Sequence, residues 1–351
     1  MERPHIEPED RHIGEDQDVV VAAALPADLR ETLAAAGNVV VVGEGSASDV
    51  PRLMNVIASA SALLISGNLP VSAELLAAAP GLKVISTISV GFDHIDVEVA
   101  TARNIVVCNT PGVLDAAVAE CAMLIILTLA RRGYANMTSV RTGKWSRSEP
   151  LPPFGHDLQH TTLGILGMGR TGRAVARAAS LGFEMRVLYH NRSGQLPPTA
   201  TTFPIEYVER ADLFRQSDFL SVHVELNAQT TRSIGQAEFD LMKTSAHFVN
   251  LSRGAVVDET ALFEALRSRR IAGAGVDVLE VEPPAATNPL LSLDNVVITP
   301  HIGSATVETR RRMAEMAVRN LLDVCDGHTP AAIVNPQALS GHHGYLSPRS
   351  N

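Results

Sequence analysis

The chain has 351 residues, a length that suits two domains at roughly 100–200 residues each. Hydrophobic residues make up 46% and charged residues 19%, enough apolar surface for full cores and wrong for a disordered or fibrous chain. Lys and Arg total 29 against 38 for Asp and Glu, a formal net charge of −9, which disfavours non-specific contact with nucleic acid or an anionic membrane. The most apolar stretch, residues 121–130, is far short of the roughly 20 residues that span a bilayer. Glu2, Glu7, Glu9 and Asp10 precede any apolar run, unlike a secretory signal. Cys108, Cys121 and Cys325 are widely spaced, so neither a disulfide framework nor a metal site is expected, and a reducing cytoplasm fits.

In chain order, residues 1–17 and 338–351 are polar and read as tails. Residues 18–24 are a short apolar run, 27–36 a helix stopped by Gly37, and 39–42 four valines expected in a strand buried on both faces. Helices follow over 51–60, 72–79 and 97–103, with strands over 62–66, 83–87 and 105–108 between and after them. Residues 115–132 predict one long helix, apolar on nearly every side and therefore buried in the chain or against a second copy. Residues 143–157, rich in Pro and aromatics, read as an ordered loop. A second series then begins, with strands at 163–166, 185–189, 219–224, 248–251, 273–278 and 296–298. Helices lie near 173–181, 208–214, 236–241 and 259–267, and a last one spans 305–322. The alternation predicts an α/β protein of two Rossmann-like, doubly wound parallel-sheet domains.

Gly167-Met168-Gly169-Arg170-Thr171-Gly172 follows a strand and opens a helix. Gly167 permits the tight turn, Gly169 lets the backbone approach a pyrophosphate, and Gly172 lets helix and strand pack closely, with the amides of the helix start facing the phosphates. An NAD-binding chain places an acid at the end of the next strand to bond the ribose hydroxyls. Here His190-Asn191-Arg192-Ser193 has no carboxylate; Arg192 can pair with a 2′-phosphate while Asn191 and Ser193 donate to it. NADP(H) is therefore expected over NAD(H).

Three more segments fall at or near strand ends, where open α/β sheets bind ligands: residues 250–254, 277–283 and 299–304. Their chemistry suggests reduction of a 2-oxo acid. The planar fork of Arg253 suits a carboxylate and can polarise the adjacent carbonyl. His301 can deliver a proton as a hydride arrives, and Glu282 can hold its imidazole and favour the charged form. Asp277 is expected beside the nicotinamide carboxamide, the cofactor itself carrying the hydride.

With GMGRTG at 167–172, NLSRG at 250–254, GAGVDVLEVEP at 273–283 and PHIGSAT at 300–306, the chain resembles the D-isomer-specific 2-hydroxyacid dehydrogenases over about residues 18–337. STISVGFDHID at 86–96, GKW at 143–145 and YHNR at 189–192 make it most similar to the glyoxylate/hydroxypyruvate reductases, a group with a 2-ketogluconate-reducing branch. The resemblance implies Arg253, Glu282 and His301 as the catalytic set, the backbone amides of Val90 and Gly91 on the substrate carboxylate, and Leu251 among the cofactor contacts. It also implies a homodimer in which Trp145 reaches the partner's active site. It places a substrate-binding domain in residues 1–110 and 302–337 and a cofactor domain in 111–301, with a cleft that closes by hinge motion near Thr110-Pro111 and Ile302. Glu225, where the family usually has proline, and His247, where it usually has an apolar residue, depart from the pattern. A non-enzymatic dinucleotide sensor of the co-repressor kind shares the Arg/Glu/His set, and turnover separates it from an enzyme. Phosphoglycerate dehydrogenases often add a C-terminal regulatory domain, too long for the tail after 338, and formate oxidation in this fold uses Gln where Glu282 stands.

Overall fold

The computed structural model describes residues 18–145 and 154–341. The chain divides into two compact units: one runs to Val113 and resumes at Val307, and the other is Leu114–Thr306. These borders lie a few residues beyond the sequence-derived ones at 110/111 and 301/302.

The first unit alternates β1 (Asp18–Ala22), α1 (Ala27–Ala36), β2 (Asn38–Gly43), α2 (Val50–Val56), β3 (Ala60–Ser66), α3 (Ala73–Ala77), β4 (Val84–Ile88), α4 (Val97–Ala102) and β5 (Val106–Cys108). Its five strands are all parallel, in the order β2-β1-β3-β4-β5. Side-chain caps set two helix starts: Ser72 accepts from the Leu75 amide and Asp96 from the Val99 amide. Leu53, Ile57, Leu63, Ile65, Leu75 and Ile85 lie at the centre of the core.

The valine run is not the doubly buried strand it resembles. It is β2, at the edge of the sheet, and Val41 is 56% exposed. The fully covered strand is β1, whose Val19, Val20 and Val21 have no exposure. Composition is nearly the same in both; position in the sheet decides burial. The expected helix over 51–60 is also shorter, because the chain tightens into a 3₁₀ turn at Ile57–Ser59 before β3.

The second unit contains α5 (Asp115–Ala130), α6 (Gly133–Arg141), β6 (Thr162–Leu166), α7 (Arg170–Phe183), β7 (Arg186–His190), β8 (Glu206–Tyr207), α8 (Arg210–Gln216), β9 (Phe219–Val222), α9 (Gln236–Leu241), β10 (His247–Asn250), α10 (Glu259–Arg267), β11 (Gly273–Val276) and β12 (Val296–Ile298). Seven parallel strands run β12-β11-β10-β9-β6-β7-β8. Strand order reverses at β6, the switch point where such sheets open a crevice.

α5 packs against α7, β10, β11 and β12, so the chain itself covers most of this apolar helix. A Cβ on Gly275 of β11 would lie 2.1 Å from Ile125 Cγ2, so only glycine lets the helix sit this close. Ala116, Glu120 and Leu124 stay outside. The helix ends at Ala130 rather than Arg132, because Arg132 turns left-handed (φ 51°) and starts α6, a helix that composition does not announce. Of the expected 143–157 loop, residues 146–153 lie outside the described residues.

The chain then re-enters the first unit as α11 (Val307–Cys325), which lies on β3, β4 and β5. Ser86 Oγ donates to the Ala317 carbonyl at 2.8 Å, and Asn320 Nδ2 donates to the Asn109 carbonyl at 3.0 Å. A final 3₁₀ turn, Pro336–Gly341, buries Ala338, so ordered chain continues past residue 337. Asn335 pins this end. Its Oδ1 accepts from the Val107 amide at 2.8 Å, and its Nδ2 donates to Thr101 Oγ1 and the Ile105 carbonyl, both at 2.9 Å. No helix among the described residues is long and apolar enough to cross a membrane.

Asn335→Ala leaves the buried Val107 amide without its acceptor and should cost about 2 kcal/mol. Urea unfolding should show the loss.

Candidate active site

Register brings the singled-out segments of the second unit to one edge. Leu166 pairs with His190 on one side and Val222 on the other, Val222 with Asn250, Asn250 with Val276, and Val276 with Ile298. All strands are parallel, so residues 167–172, 191–193, 223–225, 251–254, 277–282 and 299–303 all leave the sheet at its C-terminal edge.

The glycine loop has the shape its sequence predicts. Gly167 has φ 96°, and a Cβ there would lie 2.8 Å from the His223 carbonyl oxygen. A Cβ on Gly172 would lie 2.3 Å from the Gly167 oxygen, whereas one on Gly169 would enter open space. Gly169 caps α7 without a side-chain acceptor, so the first-turn amides face outward without a protein cap. Open backbone, uncapped amides and the exposed Arg170 fit a pyrophosphate. Thr171 Oγ1 donates to Asp115 Oδ1 at 3.1 Å, and Met168 is buried.

Asn191 ties the end of β7 to this loop: its Oδ1 accepts from the Met168 amide at 2.7 Å. That bond fixes the amide orientation and leaves Nδ2 as a donor. Arg192 and Ser193 are exposed beside it, and Arg192 Nη1 donates to Gln229 Oε1 at 3.1 Å. Gln229 was not singled out by sequence; its neighbour Asn227 forms an Asx turn, accepting from the amides of Gln229 and Thr230.

His301 and Glu282 meet directly, with Nδ1 and Oε2 2.8 Å apart. A carboxylate only accepts, so Nδ1 is the donor in this pair and Nε2 is the ring nitrogen outside it. Glu282 Oε1 also accepts from the Leu279 amide at 3.0 Å. Burial pushes the Glu282 carboxyl up, but the bond and charge of His301, the Leu279 amide and the charge of Arg253 outweigh burial and hold it below its usual range. Arg253 stands in extended backbone after β10. Buried Asn250 shapes that turn: Nδ2 donates to the Arg253 carbonyl, and Oδ1 accepts from the amide and hydroxyl of Ser252. A Cβ on Gly254 would fall within 2.3 Å of the Leu279–Glu280 peptide, so the Arg253 and Glu282 segments are in backbone contact.

Asp277, expected at the nicotinamide, has a structural task that sequence did not reveal. It is 2% exposed; Oδ1 accepts from Thr299 Oγ1 at 2.6 Å and from the Ile302 amide at 2.8 Å, and Oδ2 accepts from the Gly303 amide at 2.7 Å. The His301 amide donates to the Asp277 carbonyl. These bonds hold His301 in a left-handed conformation, φ 54°.

Val90 and Gly91 belong to the other unit. The Val90 carbonyl accepts from Asn109 Nδ2 at 2.8 Å, which turns the Gly91 N–H of the same peptide to the opposite side. The Gly91 carbonyl accepts from Ser89 Oγ at 2.6 Å. Trp145 is 70% exposed and Leu251 half-buried. Of the two departures, Glu225 is exposed, while His247 opens β10 and stacks on Phe219 with ring centroids 5.1 Å apart. Burial pushes the His247 imidazole down to about 4, so it fills the apolar position uncharged at neutral pH. His223, whose Nε2 lies 2.8 Å from Ser221 Oγ, is likewise lowered to about 4 by burial.

Residues 123–303 match the sequence profile of the D-isomer specific 2-hydroxyacid dehydrogenase, NAD binding domain. A glyoxylate/hydroxypyruvate reductase B of Klebsiella pneumoniae subsp. pneumoniae is 43% identical over 319 residues, covering 91% of this chain and 98% of its own. A glyoxylate reductase of Thermococcus litoralis is 46% identical over 274 residues, 77% of this chain and 82% of its own. Among solved structures, an NADPH-dependent glyoxylate/hydroxypyruvate reductase from Sinorhizobium meliloti, in complex with NADP and malonate, superposes with a TM-score of 0.80 at 30% identity, covering 96% of this chain and 100% of its own. A nicotinamide dinucleotide is the cofactor type of this fold, and the loop geometry suits it. The chain belongs to the D-isomer-specific 2-hydroxyacid dehydrogenase family and is an oxidoreductase.

Proposed function

We propose that the protein reduces glyoxylate or hydroxypyruvate to the D-2-hydroxy acid with NADPH. The observation that carries this reading is the 2.8 Å Glu282–His301 pair on the sheet edge that also bears the glycine loop and Arg253. When bound, the nicotinamide supplies the hydride to C2 of the substrate. Arg253 pairs with the substrate carboxylate and polarises the adjacent carbonyl. His301 Nε2 gives its proton to the carbonyl oxygen, and Glu282 steadies the imidazolium from Nδ1. The amides of Val90 and Gly91 take the carboxylate as well, so the first unit is the substrate domain and Leu114–Thr306 the cofactor domain. Gly167 to Gly172 hold the pyrophosphate, Leu251 and Asp277 line the cofactor path, and Asn191, Arg192 and Ser193 take a 2′-phosphate.

A homodimer is part of this proposal. α6 buries none of its nine residues, and Tyr134, Met137 and Val140 recur every three residues along it, each more than half exposed. Leu124 on α5 and Trp145 and Phe154 beyond α6 are exposed too. An apolar surface of this kind suits a second copy, with Trp145 directed to the partner's site. The three cysteines are free, which suits a reducing cytoplasm.

The test is loss of NADPH absorbance with glyoxylate, hydroxypyruvate or 2-ketogluconate. The first two should turn over fastest; turnover with 2-ketogluconate alone would move the substrate to the sugar-acid branch. His301→Ala should lose about 10²–10⁴-fold in kcat with NADPH affinity kept, and full activity in that variant would overturn the acid assignment. Arg192→Ala should raise the KM for NADPH about tenfold and leave that for NADH alone; an unchanged NADPH/NADH ratio would remove Arg192 from the 2′-phosphate site. Light scattering at micromolar concentration should give a dimer, and Met137→Glu with Val140→Glu a monomer; a monomeric wild type would refute the interface.

A further inference from the structure

Glu259 is the first residue of α10, where a carboxylate is expected merely to complement the helix dipole. Its oxygens reach outside the helix. Oε2 accepts from the Glu280 amide at 2.9 Å, and Oε1 accepts from Asn288 Nδ2 at 2.6 Å. Asn288 is itself fixed, its Oδ1 accepting from the Leu290 amide at 3.0 Å. One carboxylate therefore ties both ends of residues 280–288 to the start of α10, and Glu282 lies inside that span, two residues from the bonded amide.

The surroundings reinforce the tie. Arg232 bridges Asp258 Oδ2 at 2.8 Å and Glu280 Oε1 at 3.2 Å, which keeps three neighbouring acids, Asp258, Glu259 and Glu280, from driving one another apart. Gly254 presses against the Leu279–Glu280 peptide from the Arg253 side. Glu282 faces His301 and Arg253, and Asp277 lies under the segment that carries His301.

We propose that Glu259 is a positioning residue: by fixing the Glu280–Asn288 segment it sets the place from which Glu282 meets His301 Nδ1. Nothing in the chemistry requires Glu259 to touch substrate or cofactor. The proposal rests on the Glu282–His301 reading above, and the test separates failure of one from failure of the other. A carboxylate that only stabilises the helix start affects unfolding; one that aims Glu282 also affects how tightly the pair holds its proton.

The experiment compares full-length wild type with Glu282→Gln, Glu259→Ala, Glu259→Gln and Asn288→Ala. NADPH affinity is measured by fluorescence titration, and kcat and KM for glyoxylate are followed from about pH 5 to about pH 10. Reduction needs the protonated pair, so its basic limb marks loss of that proton. Glu282→Gln removes the charge that favours the proton and should move this limb down by about one pH unit. Glu259→Ala should move it the same way by less, lower kcat about tenfold, and leave NADPH affinity unchanged. Glu259→Gln keeps an acceptor for the Glu280 amide but sets an NH2 group against the Asn288 Nδ2 donor, so it should recover only part of both effects and resemble Asn288→Ala. Asn288→Ala removes one leg of the tie and should give a smaller shift, which serves if Glu259→Ala does not fold. A limb displaced in Glu282→Gln but unmoved in both Glu259→Ala and Asn288→Ala would overturn the proposal. A limb unmoved in Glu282→Gln would overturn the Glu282–His301 reading, and the role of Glu259 with it.

Discussion

The buried carboxylate of Asp277 is the constraint on which the site depends. Left alone in an apolar environment a carboxylate would be costly, but here three donors from residues 299–303 satisfy it. In return it holds that segment in one conformation. His301 needs such help: a left-handed residue with a Cβ is disfavoured by about 1–2 kcal/mol, and its own amide is drawn to the Asp277 carbonyl. The loop stays there because relaxing it would strand a buried charge. The imidazole that results reaches Glu282 at hydrogen-bond distance, and the proposed acid arrives already oriented.

The same economy governs the neighbouring segments, but with glycine rather than charge. Gly254 lets the Arg253 turn touch the Leu279–Glu280 peptide, and Gly167 lets the phosphate loop touch the end of β9. Neither contact leaves room for a methyl group. The segments at this edge therefore register on one another through backbone, which is stiffer than side chain, and the polar groups are set from a common base. Preorganisation of this kind is what electrostatic catalysis requires, since the groups need not move when charge develops.

Much of this was legible in the residues, for a physical reason. A glycine loop, the proposed carboxylate-binding Arg253 and an imidazole–carboxylate pair each require particular residue types at strand ends, and the strands expected at 163–166, 248–251, 273–278 and 296–298 place them there. What stayed hidden depended on long-range placement. The Val39–Val42 run has the letters of a central strand, yet sheet order puts it at the edge. α6 was hard to see because only three large apolar residues, Tyr134, Met137 and Val140, mark it among polar neighbours and none of its residues is buried. Asp277 could be expected beside the cofactor from its place at a strand end, but its bonds to Thr299, Ile302 and Gly303 span about two dozen residues and come from the fold alone. Gln229 and Glu259 read as ordinary surface polar residues, because nothing local says that Arg192 or the Glu280 amide will be opposite.

Net charge and local charge also point in different directions. A chain of charge −9 should repel small anions, and both proposed ligands are anionic. Yet Arg170, Arg192 and Arg253 follow β6, β7 and β10, so three guanidinium groups leave the sheet at one edge, together with uncapped helix amides. The acids of this edge are largely committed: Asp277 to backbone and threonine, Glu282 to His301, Glu280 to Arg232. At a Debye length of about 8 Å in physiological salt, an approaching anion senses the near guanidiniums and little of the distant acidic surface. Pairing or burying acids beside three guanidiniums is thus how an acidic chain suits the proposed anionic ligands at this edge, where Glu225 is the exposed exception among the acids named above.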